Sequence, residues 1–351
     1  MKFRRPMVGT DNFDPSLTAQ GERDSSMVQL FLIGISAGAA TALLFASVAS
    51  GSPLSVLLFY LAPLPILIAA LGWSHWAALI AAVFASASLA AVFSGTFFIA
   101  FLIGIGLPAW WLGYLALLAR PTDSTAQGSL EWYPVGHLVV WCAILGAVVV
   151  IAGILNFGTD EETFRSALRA FLERMLRLGG SRTDASPTPL PQGTDTSRLL
   201  DFLVAALPPT AAVVTTATSA INLWLASRVV SMSGRLKRPQ PDIAEMRFPN
   251  YAPALTGAAV AATFVPGLIG SFGSVVTAAM LMAYAILGFA VMHSITRGLN
   301  SRPFALGGLY AVVIVFGWPM LVMSMLGLAD TAFDLRGRAA RRRNSNPNPP
   351  I

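Results

Sequence analysis

The sequence predicts an all-α protein, a polytopic bundle of transmembrane helices with about nine spans and one interfacial amphipathic helix. Three observations carry this. Of 351 residues, 55% are hydrophobic and only 11% charged, against about 25% charged in an average soluble domain. The mean hydropathy is +0.66. The apolar residues gather into runs of about 20, enough at 1.5 Å per residue to cross a hydrocarbon core about 30 Å thick. A β-barrel is excluded by pattern, because its strands alternate over about ten residues and no such alternation recurs.

Residues 1–27 read as a polar N-terminal tail of mixed charge, from Lys2, Arg4 and Arg5 to Asp11, Glu22 and Asp24. Ser47-Val48-Ala49 offers a small-x-small cleavage pattern. The lead is too long and too mixed for a secretory signal, however, so the first helix is expected to be retained. A transmembrane domain follows over 28–338. Its runs are roughly 28–49, 53–71, 75–93, 96–118, 135–155, 199–227, 252–269, 272–295 and 303–328. Gly and Pro clusters such as Gly51-Ser52-Pro53 and Pro266-Gly267 separate several of them and permit tight hairpins. Most tryptophans fall toward run ends, as interfacial anchors should, with Trp318 deeper. Residues 339–351 read as a disordered C-terminal tail.

Between the fifth and sixth runs the composition changes. Residues 160–178 place Phe164, Ala167, Leu168, Phe171, Leu172, Met175 and Leu176 at three- and four-residue spacing, with Arg165, Arg169, Arg174 and Arg177 opposite. Thr159 and Glu162 suggest a capping box at its start. Two positions are open to this helix: the bilayer interface, or the loops of the bundle itself. Residues 179–198, rich in Ser, Thr and Pro, read as a flexible loop.

Orientation rests on the 23 Lys and Arg residues. With the N-terminus inside and nine spans, 12 cations fall inside and 11 outside. The dense basic loop 228–250 is expected to be cytoplasmic. Five arginines from Arg336 to Arg343 then lie outside, which conflicts with the rule; an eight-span arrangement would place both ends inside.

Two polar or small-residue stripes stand out. Gly34, Gly38, Ala42 and Ala46 repeat every four residues and form a smooth face for close packing, either within the bundle or against a partner subunit. Thr215, Ser219 and Asn222, with Thr218 beside them, share one face of the long run containing Pro208-Pro209. Polar groups at membrane depth face a cavity or another helix, and this face is the expected cavity lining. The proline pair is expected to break the helix and free carbonyls.

The chemistry-bearing residues are sparse. Cys142 is the single cysteine, so no internal disulfide or cysteine-built zinc site is expected. His75, His137 and His293 share no metal-ligand spacing. No carboxylate sits mid-run, and no Walker loop or nucleophile elbow is present. The sequence therefore predicts no catalytic set, no metal, no cofactor and no nucleic-acid partner. ATP hydrolysis by this chain alone is set aside.

Three stretches in the last third are the most specific: Arg247-Phe248-Pro249-Asn250 at the start of a helix, Leu287 to His293, and Leu326-Gly327-Leu328-Ala329-Asp330 followed by Asp334 and Arg336. Together they resemble the YybS-like family of bacterial predicted membrane proteins, known as domain of unknown function 2232. The resemblance covers roughly residues 28–338. Its motif positions are Phe248, Pro249, Asn250, Gly288, Ala290, His293, Gly327, Asp330 and Arg336. That family is distantly similar to the substrate-binding subunits of energy-coupling-factor transporters. The resemblance implies a multi-pass protein of the bacterial inner membrane that binds an unknown small molecule, apolar or zwitterionic, and works with membrane and ATPase partner subunits. It also gives the Gly34 to Ala46 stripe a docking role. This chain has about three helices more than the six-helix binding subunit. From the residues themselves, Asp330 could pair with Arg336 or cap a short segment, and Asp334 could pair with Arg338. A non-transporting scaffold of the envelope, contacting lipid or protein through its arginines, is the alternative.

Overall fold

The computed structural model describes residues 15–121, 130–180, 196–240, 242–297 and 300–344. The N-terminal tail before residue 15, most of the 179–198 loop and the end of the C-terminal tail lie outside the described residues. Helix α1 (Pro15–Ala46) is followed by α2 (Pro53–Tyr60) and α3 (Leu64–Gly72), then α4 (His75–Val92), α5 (Thr96–Phe101) and α6 (Leu107–Ala116). A small antiparallel ribbon, β1 (Ala119–Pro121) with β2 (Leu130–Trp132), leads to α7 (Val135–Phe157), α8 (Glu161–Gly180) and α9 (Thr196–Met232). The last third holds α10 (Ala252–Ala262), α11 (Leu268–Ile295), α12 (Arg302–Phe316), α13 (Pro319–Phe333) and α14 (Leu335–Asn344).

Among the described residues, seven helical stretches are long and apolar enough to span a bilayer, and α10, α12 and α13 are shorter apolar helices. Two of the nine predicted runs, 252–269 and 303–328, are thus divided into shorter pieces. The run 303–328 breaks at Gly317, whose φ of +71° suits glycine; Pro319 then starts the next helix without an N–H to offer. At 15 residues each, α12 and α13 extend about 22 Å, short of a full crossing. The run 252–269 likewise yields only the 11 residues of α10 before a turn ending at Gly267.

Close packing fixes the direction of these pieces. Ser324 Oγ donates to the Leu281 carbonyl at 2.8 Å. A Cβ placed on Gly327 would lie 2.1 Å from the Tyr284 carbonyl, and one on Gly288 would lie 2.0 Å from that of Met323. Helices α11 and α13 therefore touch backbone to backbone and run in the same direction. Helix α13 starts beside the middle of α11 and ends at its C-terminal end, where Arg336 Nη1 donates to Ala244 at 2.8 Å. With α12 it forms a hairpin that enters and leaves on the face of the 233–251 loop.

The small-residue stripe is consumed inside the chain. A Cβ on Gly34 would meet Ile80 at 2.6 Å and the Ala77 carbonyl at 3.0 Å, and one on Gly38 would meet the Ala81 carbonyl at 2.6 Å. Ala42 packs in one cluster with Ala85, Leu89 and Phe101, with Ala46 at its margin. Helices α1 and α4 thus run parallel in close contact, with this stripe packed between them. Lys237 Nζ donates to the Trp73 carbonyl at 3.2 Å, just before α4. The start of α4, and with it that of α1, lies on the face of the basic loop. Both described ends share that face, as in the eight-span alternative, and the conflict raised by the C-terminal arginines disappears.

Helix α8 takes the bundle-capping position with its first turns. Phe164 and Leu168 are buried in a core shared with α7 and α9, and Arg169 pairs with Asp201 at 2.6 Å. Phe171 and Met175 remain exposed. The cap is one residue later than the expected Thr159–Glu162 box. The Asp160 carboxylate accepts from the Thr163 amide at 2.8 Å and from its hydroxyl at 2.7 Å, because a carboxylate is the stronger acceptor at a helix N-terminus. Helix α9 runs unbroken through Pro208 and Pro209, which corrects the expected break.

Candidate functional site

The 37 residues of α9 bring two different polar features into the bundle, and only the second borders open space. Asn222 is buried, and its Nδ2 donates at 2.8 Å to both the Tyr60 and the Thr218 carbonyls. The Tyr60 carbonyl is free because the chain turns between α2 and α3: Pro63 has no N–H, and the Leu64 amide bonds to Leu61 instead. Asn222 therefore braces a break in the second run. Thr215, Thr218 and Ser219 are half-buried beside it. The neighbouring Thr216, buried but absent from the expected stripe, donates to the Ala212 carbonyl at 2.8 Å and packs on Gly146.

A cavity of about 720 Å³ opens farther along the same helix. That is the size of a small-molecule pocket. Its body is walled by Leu138, Val139 and Cys142 of α7, Ala220, Leu223 and Trp224 of α9, and Ile286, Phe289 and Ala290 of α11. None of Thr215, Thr218, Ser219 and Asn222 lines it. Those four positions define a face but not what the face meets.

The fourth wall is not helical. Arg238 and Gln240, then Asp242, Ile243, Ala244 and Met246, line the cavity at the ends of α7, α9 and α11, with a 3₁₀ turn at Ile243–Glu245. Asp242 Oδ1 caps that turn by accepting from the Ala244 amide at 2.9 Å. Its other oxygen pairs with Arg297. The Arg297 guanidinium, and then the Ala244 amide, hold the Asp242 carboxyl below the usual carboxylate range. Gln240 ties the segment to Ser227 at the end of α9.

The family-motif positions hold this wall in place. Phe248 is buried against Tyr284, with ring centroids 5.2 Å apart. Pro249 is buried and Asn250 exposed. A Cβ on Gly136 would sit 1.8 Å from the Arg247 carbonyl, so this stretch lies directly on the start of α7. Asp330 and Arg336 form a buried ion pair at 2.7 Å, the Arg336 amide also bonds to Asp330, and Arg336 clamps the Ala244 carbonyl. Asp334 pairs with Arg247 at 3.3 Å and Arg341 at 3.7 Å, which corrects its expected pairing with Arg338. Ala290 and His293 line the cavity itself, and His293 Nε2 lies 2.9 Å from the Tyr310 hydroxyl.

The chain matches, over residues 39–331, the family described as Predicted membrane protein (DUF2232). It belongs to that family. The match covers the cavity walls and every motif position except Arg336. No curated protein and no solved structure matches this DUF2232 chain.

The charged end of the cavity was not foreseen. Arg228, Arg238, Arg297 and Arg302 line it against one carboxylate, Asp242. Arg238 is buried; Nη1 and Nη2 donate to the carbonyls of Ala116 and Tyr133 at 3.2 and 3.3 Å, and Nε has no partner among the described residues. Burial pushes its pKa down, though a guanidinium retains its proton. Arg228 stacks 5.8 Å from the Trp224 ring. The signal for Arg238 lay in the basic loop, where orientation alone accounted for the charge. Among the described residues no group of three metal-ligating side chains comes together.

Proposed function

We propose that this membrane protein is the substrate-binding component of a small-molecule transport system in the bacterial inner membrane. Binding rather than catalysis is its task, and partner subunits that hydrolyse ATP would drive release. One observation supports this above the rest: a ligand-sized cavity lies between α7, α9 and α11, with the short helix α12 at its edge and non-helical chain across its end. A concave, largely apolar space between the helices of a bundle, with a few polar groups converging on it, is the usual form of a small-molecule site. Helices α1 and α4 use the small-residue stripe between themselves, so an ATPase-coupling subunit would dock elsewhere.

The test is untargeted mass spectrometry of extracts from the full chain purified in detergent, beside an Ala290→Trp variant that fills the cavity. The wild type should retain a compound that the folded variant lacks, and mild cross-linking should recover an ATPase. Identical extracts from both proteins would sink the binding reading. Retained ligand without any ATPase would sink the transport reading alone.

A further inference from the structure

The chemical class of the ligand follows from the cavity's charged end, a step that rests on the binding reading above. Arg238 is 9% exposed and has no carboxylate partner among the described residues. Its two bonds to carbonyls are longer than the about 2.7–2.9 Å of a charge-assisted pair, and Nε is buried and unpartnered. A guanidinium offers five N–H donors and does not discharge. A buried cation in this state is unfavourable without a counter-ion, so the missing partner is an anion. Arg228 lines the same end with no carboxylate partner among the described residues; Arg297 pairs with Asp242, and Arg302 acts on that same carboxylate without forming an ion pair.

The rest of the wall is apolar, including Leu138, Ile286 and Phe289. The cavity also reaches the outer surface. Ile221 and Trp224 of α9 and Tyr310 of α12 line it and are 55%, 45% and 40% exposed. In a bilayer, that side faces hydrocarbon. We propose that the cavity takes an amphiphile with a compact anionic head, a carboxylate or a phosphate monoester, whose hydrocarbon chain enters sideways between α9 and α12. The arginines hold the head and the α7–α11 wall holds the chain.

The test is native mass spectrometry of the full chain released from nonionic micelles and titrated with dodecanoate, dodecyl phosphate or dodecanol. At least one anion should form a saturable one-to-one adduct ten or more times tighter than dodecanol, and the tighter of the two identifies the head. Arg302→Gln, at a half-buried position, should weaken the anion at least threefold without changing dodecanol. Arg238→Gln should weaken it tenfold or more, with Arg238→Lys restoring part of the loss. Equal binding of dodecanol and the anions, or anion binding indifferent to Arg302→Gln and to Arg238→Gln, overturns the anionic class and leaves a neutral-ligand site. No saturable adduct with any of the three, together with identical extracts from wild type and Ala290→Trp, overturns the binding reading itself.

Discussion

At Asn222 a polar side chain is spent on repair. Its amide meets a carbonyl that the turn between α2 and α3 leaves without a backbone donor, and a buried acceptor stripped of its partner costs about 1–3 kcal/mol. Asn222→Leu should therefore lower the thermal unfolding midpoint in detergent while leaving ligand retention per folded molecule intact. Loss of ligand at unchanged midpoint would instead return Asn222 to the cavity. The Asp330–Arg336 pair, with side chains 4% and 9% exposed, sets a larger stake. Arg336→Met strands a buried carboxylate and the Ala244 carbonyl together, and breaking such a pair costs about 3–5 kcal/mol. Denaturant titration should show that loss, with the double change Asp330→Leu/Arg336→Met recovering part of it; a single variant as stable as wild type would show that the clamp does not matter.

Between elements, close approach replaces the polar bond. The α1 stripe meets α4 where Ala77 and Ala81 recur at the same four-residue spacing. Gly38→Leu should destabilise the isolated chain by about 1–3 kcal/mol through overpacking, with no partner subunit present. An unchanged midpoint would mean that the stripe packs elsewhere. This stripe was legible in the sequence because small residues every fourth position admit one physical reading, a smooth helical face; its partner was not, because spacing on one helix carries no information about another. The same distinction explains the rest. Runs such as 135–155 and 272–295 gave their helices directly through length and hydropathy. Two half-length helices and one full span have the same summed hydropathy, so only the positive φ at Gly317 separates α12 from α13. Ala290 and His293 were picked out by motif and do line the cavity, whereas Arg238 was read as one cation among several because its burial depends on the ends of α6 and α7.

At the scale of the whole molecule, the basic face gathers the starts of α1, α4 and α7, the 233–251 loop and α14. Single cysteines at Ser233 and Asn344, in a Cys142→Ala background, should react alike with an impermeant thiol reagent on intact cells. A cysteine at Ser166 in α8 should react oppositely, and reaction at Asn344 that follows Ser166 would reverse the path of the last hairpin. The hairpin also sets an order of synthesis. Helix α11 leaves the ribosome before α13 exists, with Gly288 waiting for the Met323 carbonyl and the Tyr284 carbonyl for Gly327. Among the described residues, no segment after α11 has to be carried across the bilayer; α12 and α13 can slip in together from the face on which α11 ends. A nascent chain truncated at Gly317 would reach the membrane with a bare groove along α11 and without the Arg336 clamp. The cavity wall is thus secured only after α13 and Arg336 have been made, and a stalled or clipped chain should be recognised by quality-control proteases at that groove.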